Sequence, residues 1–243
     1  MWKGWRTEGE MQRISFWGRL LDLISPRLCV VCGGRLAVTE ETLCSKCYLH
    51  LPRTDFGHDL YENVMAKLFW GQIAIEKATA LFYYEPHAET AHLLYELKYK
   101  HHPEIGVVMG RMMARELTGS GLFDDIDALV PVPLAKKRER ERGYNQSLML
   151  AKGVTEVTGL PIYNKVVRRT KFVGSQTKRG RWERNENVAD VFECAEDDSI
   201  RGKHLLLIDD VVTTGATIVA CAKEIQKASN VKISVLALGF AKS

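Results

Sequence analysis

The chain has 243 residues, of which 46% are hydrophobic and 26% charged, and carries a formal net charge of +4. That suits one medium globular domain with a small appendage, and so mild a positive excess does not by itself imply a nucleic-acid partner. No apolar run approaches the roughly 20 residues that span a bilayer, and Arg13, Arg19 and Asp22 interrupt the apolar residues near the amino terminus, so neither a transmembrane segment nor a signal peptide is expected, and a cytoplasmic location is.

Met11, Ile14, Phe16, Trp17, Leu20, Leu21 and Ile24 recur near helical spacing and predict an amphipathic helix ended by Ser25-Pro26. It is read as a helix that packs on neighbouring structure. A membrane-surface anchor is the weaker alternative, because basic residues on the polar face are few.

Cys29-x-x-Cys32 and Cys44-x-x-Cys47 follow as two knuckles separated by eleven residues, whereas Cys194 and Cys221 stand alone. In a reducing compartment, paired thiols read as metal ligands before disulfides. Four thiolates complete a tetrahedral zinc site with no open position, which makes the role structural. So small a unit barely builds a core of its own, and the metal supplies the missing stability. Two disulfides, a free-thiol cluster and a CxxC redox pair are the alternatives. His50 is a spare ligand that four cysteines leave no need for. Residues 1–70 are therefore expected to hold the amphipathic helix and a zinc-ribbon-like module, with the larger domain at 71–243.

Beyond a polar, helix-capable stretch that runs to about Trp70, Ala78 to Tyr84 reads as a strand, and His87 to Lys100 and Glu104 to Leu117 read as helices. Ile126 to Val132 is a strand, Asn145 to Thr158 a helix and Lys165 to Arg169 a short strand. Thr170 to Asn187 is charged and has no clear periodicity. Leu205 to Asp209, Ala216 to Ser229 and Val231 to Leu238 form a strand–helix–strand unit. Strands alternating with helices predict an α/β fold, a parallel sheet flanked by helices.

The most informative stretch runs from Leu205 to Thr217. An aliphatic run, Leu205 to Ile208, fits a central strand buried on both faces. Asp209 and Asp210 then stand at its carboxyl end, the edge where open α/β sheets bind ligands. Adjacent carboxylates repel one another and are costly to bury unless hydroxyl donors or a metal ion satisfy them. Thr213-Thr214-Gly215 leads into a helix whose amino terminus offers unpaired amides and a positive dipole end to a phosphate. Carboxylates for a diol beside a phosphate cradle describe a ribose 5-phosphate site. The GxxxxGK and GxGxxG patterns are absent here, which counts against an NTPase and a dehydrogenase.

This stretch resembles the motif by which type I phosphoribosyltransferases bind 5-phosphoribosyl-1-diphosphate (PRPP). The resemblance implies that Asp209 and Asp210 hold the ribose hydroxyls. It also implies that Val212, Thr213, Thr214, Gly215, Ala216 and Thr217 wrap the 5-phosphate, and that magnesium bridges the diphosphate and the ribose oxygens. Upstream, Val130-Pro131-Val132-Pro133-Leu134 leads into Lys136-Lys137-Arg138-Glu139-Arg140-Glu141-Arg142-Gly143-Tyr144-Asn145-Gln146. Downstream come Arg169-Thr170, Gln176-Thr177, Arg181-Trp182-Glu183-Arg184, Asn187-Val188 and Phe192. With the cysteine knuckles, these segments resemble the ComF family, the competence-associated phosphoribosyltransferase-like proteins, from about Cys29 to the carboxyl terminus. The resemblance implies that Lys136, Lys137, Arg138 and Arg142 lie on the loop that grips the diphosphate, and that Arg181 and Arg184 lie on a mobile loop that closes over the site. A solvated run of alternating charge and a flexible polar loop are the plainer readings of these segments. Many relatives have a histidine where this chain has Ala135, so no diphosphate role is assigned there. Lys98 also fits the family pattern, either as a site residue or as a lysine on a helix face.

Three functions follow from the resemblance. One is a pentosyl transferase that moves ribose 5-phosphate from PRPP to an acceptor the sequence does not name, by electrostatics and positioning. Another is a single-stranded DNA-binding protein of natural competence, with Tyr144 and Trp182 for base stacking, Arg179, Arg181 and Arg184 for phosphates, and proteins of the competence machinery as partners. The third is a regulator that senses PRPP. One fold hosts many functions, so these stay open at the level of sequence.

Overall fold

The computed structural model describes residues 26–86, 88, 90–171, 190–194, 197–228 and 230–241. The amphipathic helix expected at 11–24 and most of the charged stretch at 170–187 lie outside the described residues. The chain divides into two compact units, Met1–Leu49 and His50–Ser243.

In the smaller unit a bridge between Leu28 and Arg35 closes the first knuckle, and helix α1 (Ser45–Leu49) begins just after Cys44 and holds Cys47 of the second. Cys29, Leu36 and Cys47 are buried together, with Val31, Leu43 and Cys44 packed against them. Glu40 ties the two halves. Its carboxylate accepts from the Ala37 amide at 2.7 Å and from the Ser45 amide and hydroxyl at 2.6 Å. The Arg27 guanidinium donates to the Glu40 carbonyl at 2.7 Å.

The larger unit opens with a 3-10 turn (Phe56–His58) and helix α2 (Val64–Lys67), capped by the Asn63 side chain. Phe56, Met65 and Phe69 are buried in the core cluster of the sheet. Residues 50–70 therefore group with the larger unit, and the division falls at residue 49 instead of 70. The remaining elements are β1 (Ala78–Tyr84), α3 (Ala91–Tyr99), α4 (Pro103–Leu117), β2 (Ala128–Pro131), α5 (Lys136–Arg142), α6 (Gln146–Thr158), β3 (Val167–Lys171), β4 (Asp190–Cys194), α7 (Asp197–Ile200), β5 (His204–Val212), α8 (Ala216–Ile225) and β6 (Lys232–Ala241).

Four strands form one sheet in the order β1-β6-β5-β2, and every pairing in it is parallel. Leu205 to Ile208 of β5 are fully buried. Their side chains alternate between the two faces, as a strand requires, and both faces are covered. On one face Leu205 and Leu207 share a cluster with Ile218, Cys221, Ala222 and Ile225 of α8. On the other, α6 packs against β5 and β2, and α4 packs on α6. The last two helices approach so closely that a side-chain carbon at Gly110 would overlap the Leu150 carbonyl, and one at Gly153 the Val107 carbonyl. β3 and β4 form a separate antiparallel ribbon. The sequence gives no sign of β4, because the charged stretch before it has no strand period. No helix among the described residues is long and apolar enough to cross a membrane.

Candidate functional site

β5 ends at the carboxyl edge of the sheet with Asp209 and Asp210, and α8 begins beyond the turn at Thr213-Thr214-Gly215. Asp209 is 9% exposed. Its Oδ1 accepts from the Asp210 amide at 2.9 Å and from the Ser147 hydroxyl at 3.2 Å. Burial, and then repulsion from Asp210, pushes the Asp209 carboxyl up to about 7. The Asp210 amide, the Ser147 hydroxyl and the Lys98 ammonium pull the other way. Asp210 is half-buried and holds the Val211 amide at 2.7 Å. Its Oδ2 lies 3.2 Å from Lys98 Nζ. The two carboxylates thus have different supports, a neutral hydroxyl for one and a cation for the other.

Ser147 reaches the sheet because its helix starts at a fixed point. The Asn145 side chain accepts from the Ser147 amide at 3.0 Å and donates to the Val132 carbonyl at 3.0 Å. The first turn of α6 is thereby tied to the end of the neighbouring strand. Lys98 is placed by α3, whose last turn is anchored where the Tyr144 hydroxyl donates to the Leu97 carbonyl at 2.6 Å. Tyr144, expected as a stacking surface, is half-buried and its hydroxyl is engaged in this anchor.

Gly215 has a φ of 74° and caps α8. A side-chain carbon there would come within 2.9 Å of Phe69 Cε1. Only glycine fits the turn, since the conformation and the space both exclude a side chain. Thr213 and Thr214 are exposed at this turn, Thr217 is half-buried, and Val212 is buried beneath it. The Ala216 amide donates to Thr214 Oγ1 at 3.4 Å.

The structure therefore brings Asp209, Asp210, Lys98 and Ser147 into contact. Among the described residues, Lys136, Lys137 and Arg138 form no ion pair with either carboxylate. These form the exposed face of α5, with Lys137 3.9 Å from Glu141. Lys136 and Lys137 line a cavity of about 620 Å³ with Arg140, Glu141, Arg169 and Thr170. The Arg142 guanidinium instead lies 5.3 Å from the centre of the Tyr99 ring. Arg179, Arg181, Trp182 and Arg184 lie outside the described residues. Sequence reading passed over Ser147, although it stands one residue beyond the motif that ends at Gln146. It left Lys98 open, and a contact between residues 98 and 210 has no local signature.

In the smaller unit the sulfur atoms of Cys29, Cys32, Cys44 and Cys47 all lie within 4.8 Å of one another, and Cys32 and Cys44 are 3.8 Å apart. A tetrahedron with zinc–sulfur bonds of about 2.3 Å has edges of about 3.8 Å, so the cluster fits a four-thiolate metal site. The Cys44 amide donates to Cys29 Sγ at 3.3 Å and the Gly34 amide to Cys32 Sγ at 3.4 Å. Burial raises the Cys29 thiol, but backbone donors at Cys32, Cys44 and Val31 outweigh it and bring the thiol down to about 7. Burial pushes the Cys47 thiol up.

The chain is 29% identical to the DNA utilization protein YhgH of Escherichia coli K12 over 202 residues, 81% of this chain and 82% of that protein. It is 25% identical to competence protein F of Haemophilus influenzae over 224 residues, 88% of this chain and 96% of that one. Over 106 residues, 42% of this chain and 41% of the relative, it is 36% identical to competence protein ComFC of Bacillus subtilis. These relatives, named for DNA utilization and competence, support the resemblance to the ComF family. No family model matches it. Among solved structures it is similar to a purine phosphoribosyltransferase from Pyrococcus horikoshii, at 16% identity over 56% of this chain and 85% of the other, with a TM-score of 0.36. An adenine phosphoribosyltransferase from Thermoanaerobacter pseudethanolicus is similar at 16% identity over 56% of this chain and 80% of the other, with a TM-score of 0.35. Scores this low carry no weight for the site. The expected fold class is found in this chain itself, as a parallel sheet between helices, twin aspartates at the end of its buried strand, and a four-cysteine cluster.

Proposed function

We propose that this chain belongs to the ComF family, binds PRPP at the carboxyl edge of β5 and serves DNA uptake in the cytoplasm. The observation that supports this most is a buried carboxylate beside a second one, at the end of the central strand and just ahead of the amino terminus of α8. In this reading Asp209 and Asp210 take the ribose hydroxyls, and Val212 to Thr217 receive the 5-phosphate. Lys136, Lys137, Arg138, Arg142, Arg181 and Arg184 are the candidates for neutralising the diphosphate. Magnesium would arrive with the diphosphate. Zinc is the metal proposed for the four-cysteine cluster, in a structural role.

In the transferase form of this reading, the bond from ribose C1 to the diphosphate oxygen breaks and diphosphate leaves. C1 is taken by an acceptor nucleophile. The protein's share is to hold the sugar by its two hydroxyls and to stabilise charge that builds up during departure. The test is release of diphosphate from PRPP with magnesium and an acceptor. Asp209→Ala with Asp210→Ala should abolish it, and release that persists in this variant would overturn the assignment.

The relatives named for DNA utilization and competence favour a second reading, a non-catalytic protein for single-stranded DNA. Its mark is PRPP binding without turnover on any acceptor, together with DNA affinity that falls steeply with salt. A regulator that senses PRPP would instead change a partner or a transcript when the ligand binds.

A further inference from the structure

Two carboxylates side by side need a countercharge, and the chain supplies one. Lys98 Nζ lies 3.2 Å from Asp210 Oδ2, and among the described residues it is the one cation paired with either aspartate. The pair is largely closed to water. Its side chains are 25% and 15% exposed, so salt screens it far less than it screens ions on an open surface.

Lys98 is also held where it is. It stands in the last turn of α3, and both of its neighbours in the chain are pinned. The Tyr144 hydroxyl donates to the Leu97 carbonyl at 2.6 Å, and the Arg142 guanidinium lies 5.3 Å from the centre of the Tyr99 ring. Arg142 and Tyr144 belong to the segment that continues into α6, whose Ser147 hydroxyl donates to Asp209 at 3.2 Å. One connected set of contacts thus delivers the ammonium to Asp210 and the hydroxyl to Asp209. A lysine on a free helix face has no such bracing.

A cation at this point brings what a divalent ion would otherwise bring to a ribose diol. Magnesium demands an octahedral shell at about 2.1 Å, keeps several waters, and is generally held by one or two carboxylates together with substrate phosphates. The aspartates alone offer it little, since Asp209 is buried and its Oδ1 already accepts from an amide and a hydroxyl. A lysine ammonium is a compact charge with several donors. Asp210 takes one of them, which leaves others for sugar oxygens.

We propose that Lys98 is the built-in cation of the twin-aspartate site. It does for a ribose diol what a divalent metal would otherwise do, so a sugar phosphate binds there without metal, and magnesium enters only with a diphosphate. The inference rests on the reading of Asp209 and Asp210 as a ribose site. It adds that, before any ligand arrives, the lysine holds the carboxylates against divalent ions.

Two measurements on the full chain test this. The first needs no sugar. Manganese, followed by its electron paramagnetic resonance signal, should bind the Lys98→Ala chain about tenfold more tightly than the unchanged one. Asp210→Asn in that variant should abolish the gain. The second is calorimetric titration with ribose 5-phosphate. The unchanged chain should bind it equally well in buffer freed of magnesium and in excess magnesium. Without magnesium, Lys98→Ala should lose about tenfold, as expected of a charged hydrogen bond. Magnesium, or propylammonium in place of the missing side chain, should restore the loss. Lys98→Arg should keep most of the affinity without metal. Three results overturn the proposal: ribose 5-phosphate that binds the unchanged chain only with magnesium, manganese that binds both chains alike, or a loss in Lys98→Ala that neither cation repairs. The last would make Lys98 a residue of the fold alone. If the unchanged chain binds no ribose 5-phosphate under either condition, the sugar reading falls instead. The manganese titration then decides by itself whether Lys98 guards the carboxylates.

Discussion

Asp209 and Asp210 are held by different means, and the difference sets their chemistry. Lys98 gives Asp210 a countercharge at 3.2 Å. Asp209 has a hydroxyl and an amide, and burial with its charged neighbour pushes it up to about 7. A carboxylate that must accept hydrogen bonds from a diol has to be ionised. Binding of ribose 5-phosphate should therefore expel a proton from Asp209, and affinity should rise with pH through about 7 and then level off. The phosphate itself titrates nearby, so Asp209→Asn is the control, and the step that disappears in it belongs to the carboxyl. Stability has the opposite sign. An unfolded aspartate ionises near 3.9, so between that value and about 7 the folded chain binds more protons than the unfolded one. Stability falls as pH rises through that window. Urea unfolding at pH 5 and pH 8 should show this fall, reduced in Asp209→Asn. An unchanged slope would mean that another group dominates.

At the scale of elements, the turn between β5 and α8 is fixed by Phe69, more than a hundred residues away in sequence. Gly215→Ala meets both a positive φ and a 2.9 Å approach to that ring. The conformation alone costs about 1–2 kcal/mol. Thermal unfolding should shift down by several degrees, and ribose 5-phosphate affinity should drop because the cradle moves. Adding Phe69→Leu to Gly215→Ala should restore part of the affinity by freeing space, although the φ cost remains. No recovery would show that the conformation alone is responsible. The rhythm of strand and helix here was legible in the sequence, because the aliphatic run of β5 and the helical spacing of Ile218, Cys221, Ala222 and Ile225 are local signals. The twin aspartates and the turn were legible for the same reason. The contacts of Lys98, Ser147 and Phe69 were not, since each joins residues distant in sequence. The bond from the Tyr144 hydroxyl to the Leu97 carbonyl was not legible either, for the same reason. Residues 50–70 look polar and helix-capable, yet Phe56, Met65 and Phe69 insert into the sheet's core.

At the scale of the whole molecule, the two units rest on different physics. The larger has a core of aliphatic strands and helices large enough to stand alone. The smaller buries Cys29, Leu36 and Cys47, with Val31, Leu43 and Cys44 against them, and two of its three core residues are candidate metal ligands. Units this small generally need a metal or a disulfide to fold. If zinc fills the cluster, its binding energy is the folding energy of the smaller unit. Chelation of the full chain should therefore release one zinc per chain and move the backbone amide signals of residues 26–49 to unfolded positions. Signals of β5 and β6, whose core residues lie in a separate cluster, should stay in place. Cys32→Ser with Cys44→Ser should give the same spectrum without chelator. Restored zinc should return the signals in the unchanged chain and not in the variant. If residues 26–49 kept their native signals after complete chelation, the small apolar cluster and the Glu40 clamp would be sufficient, and the metal would have no structural role.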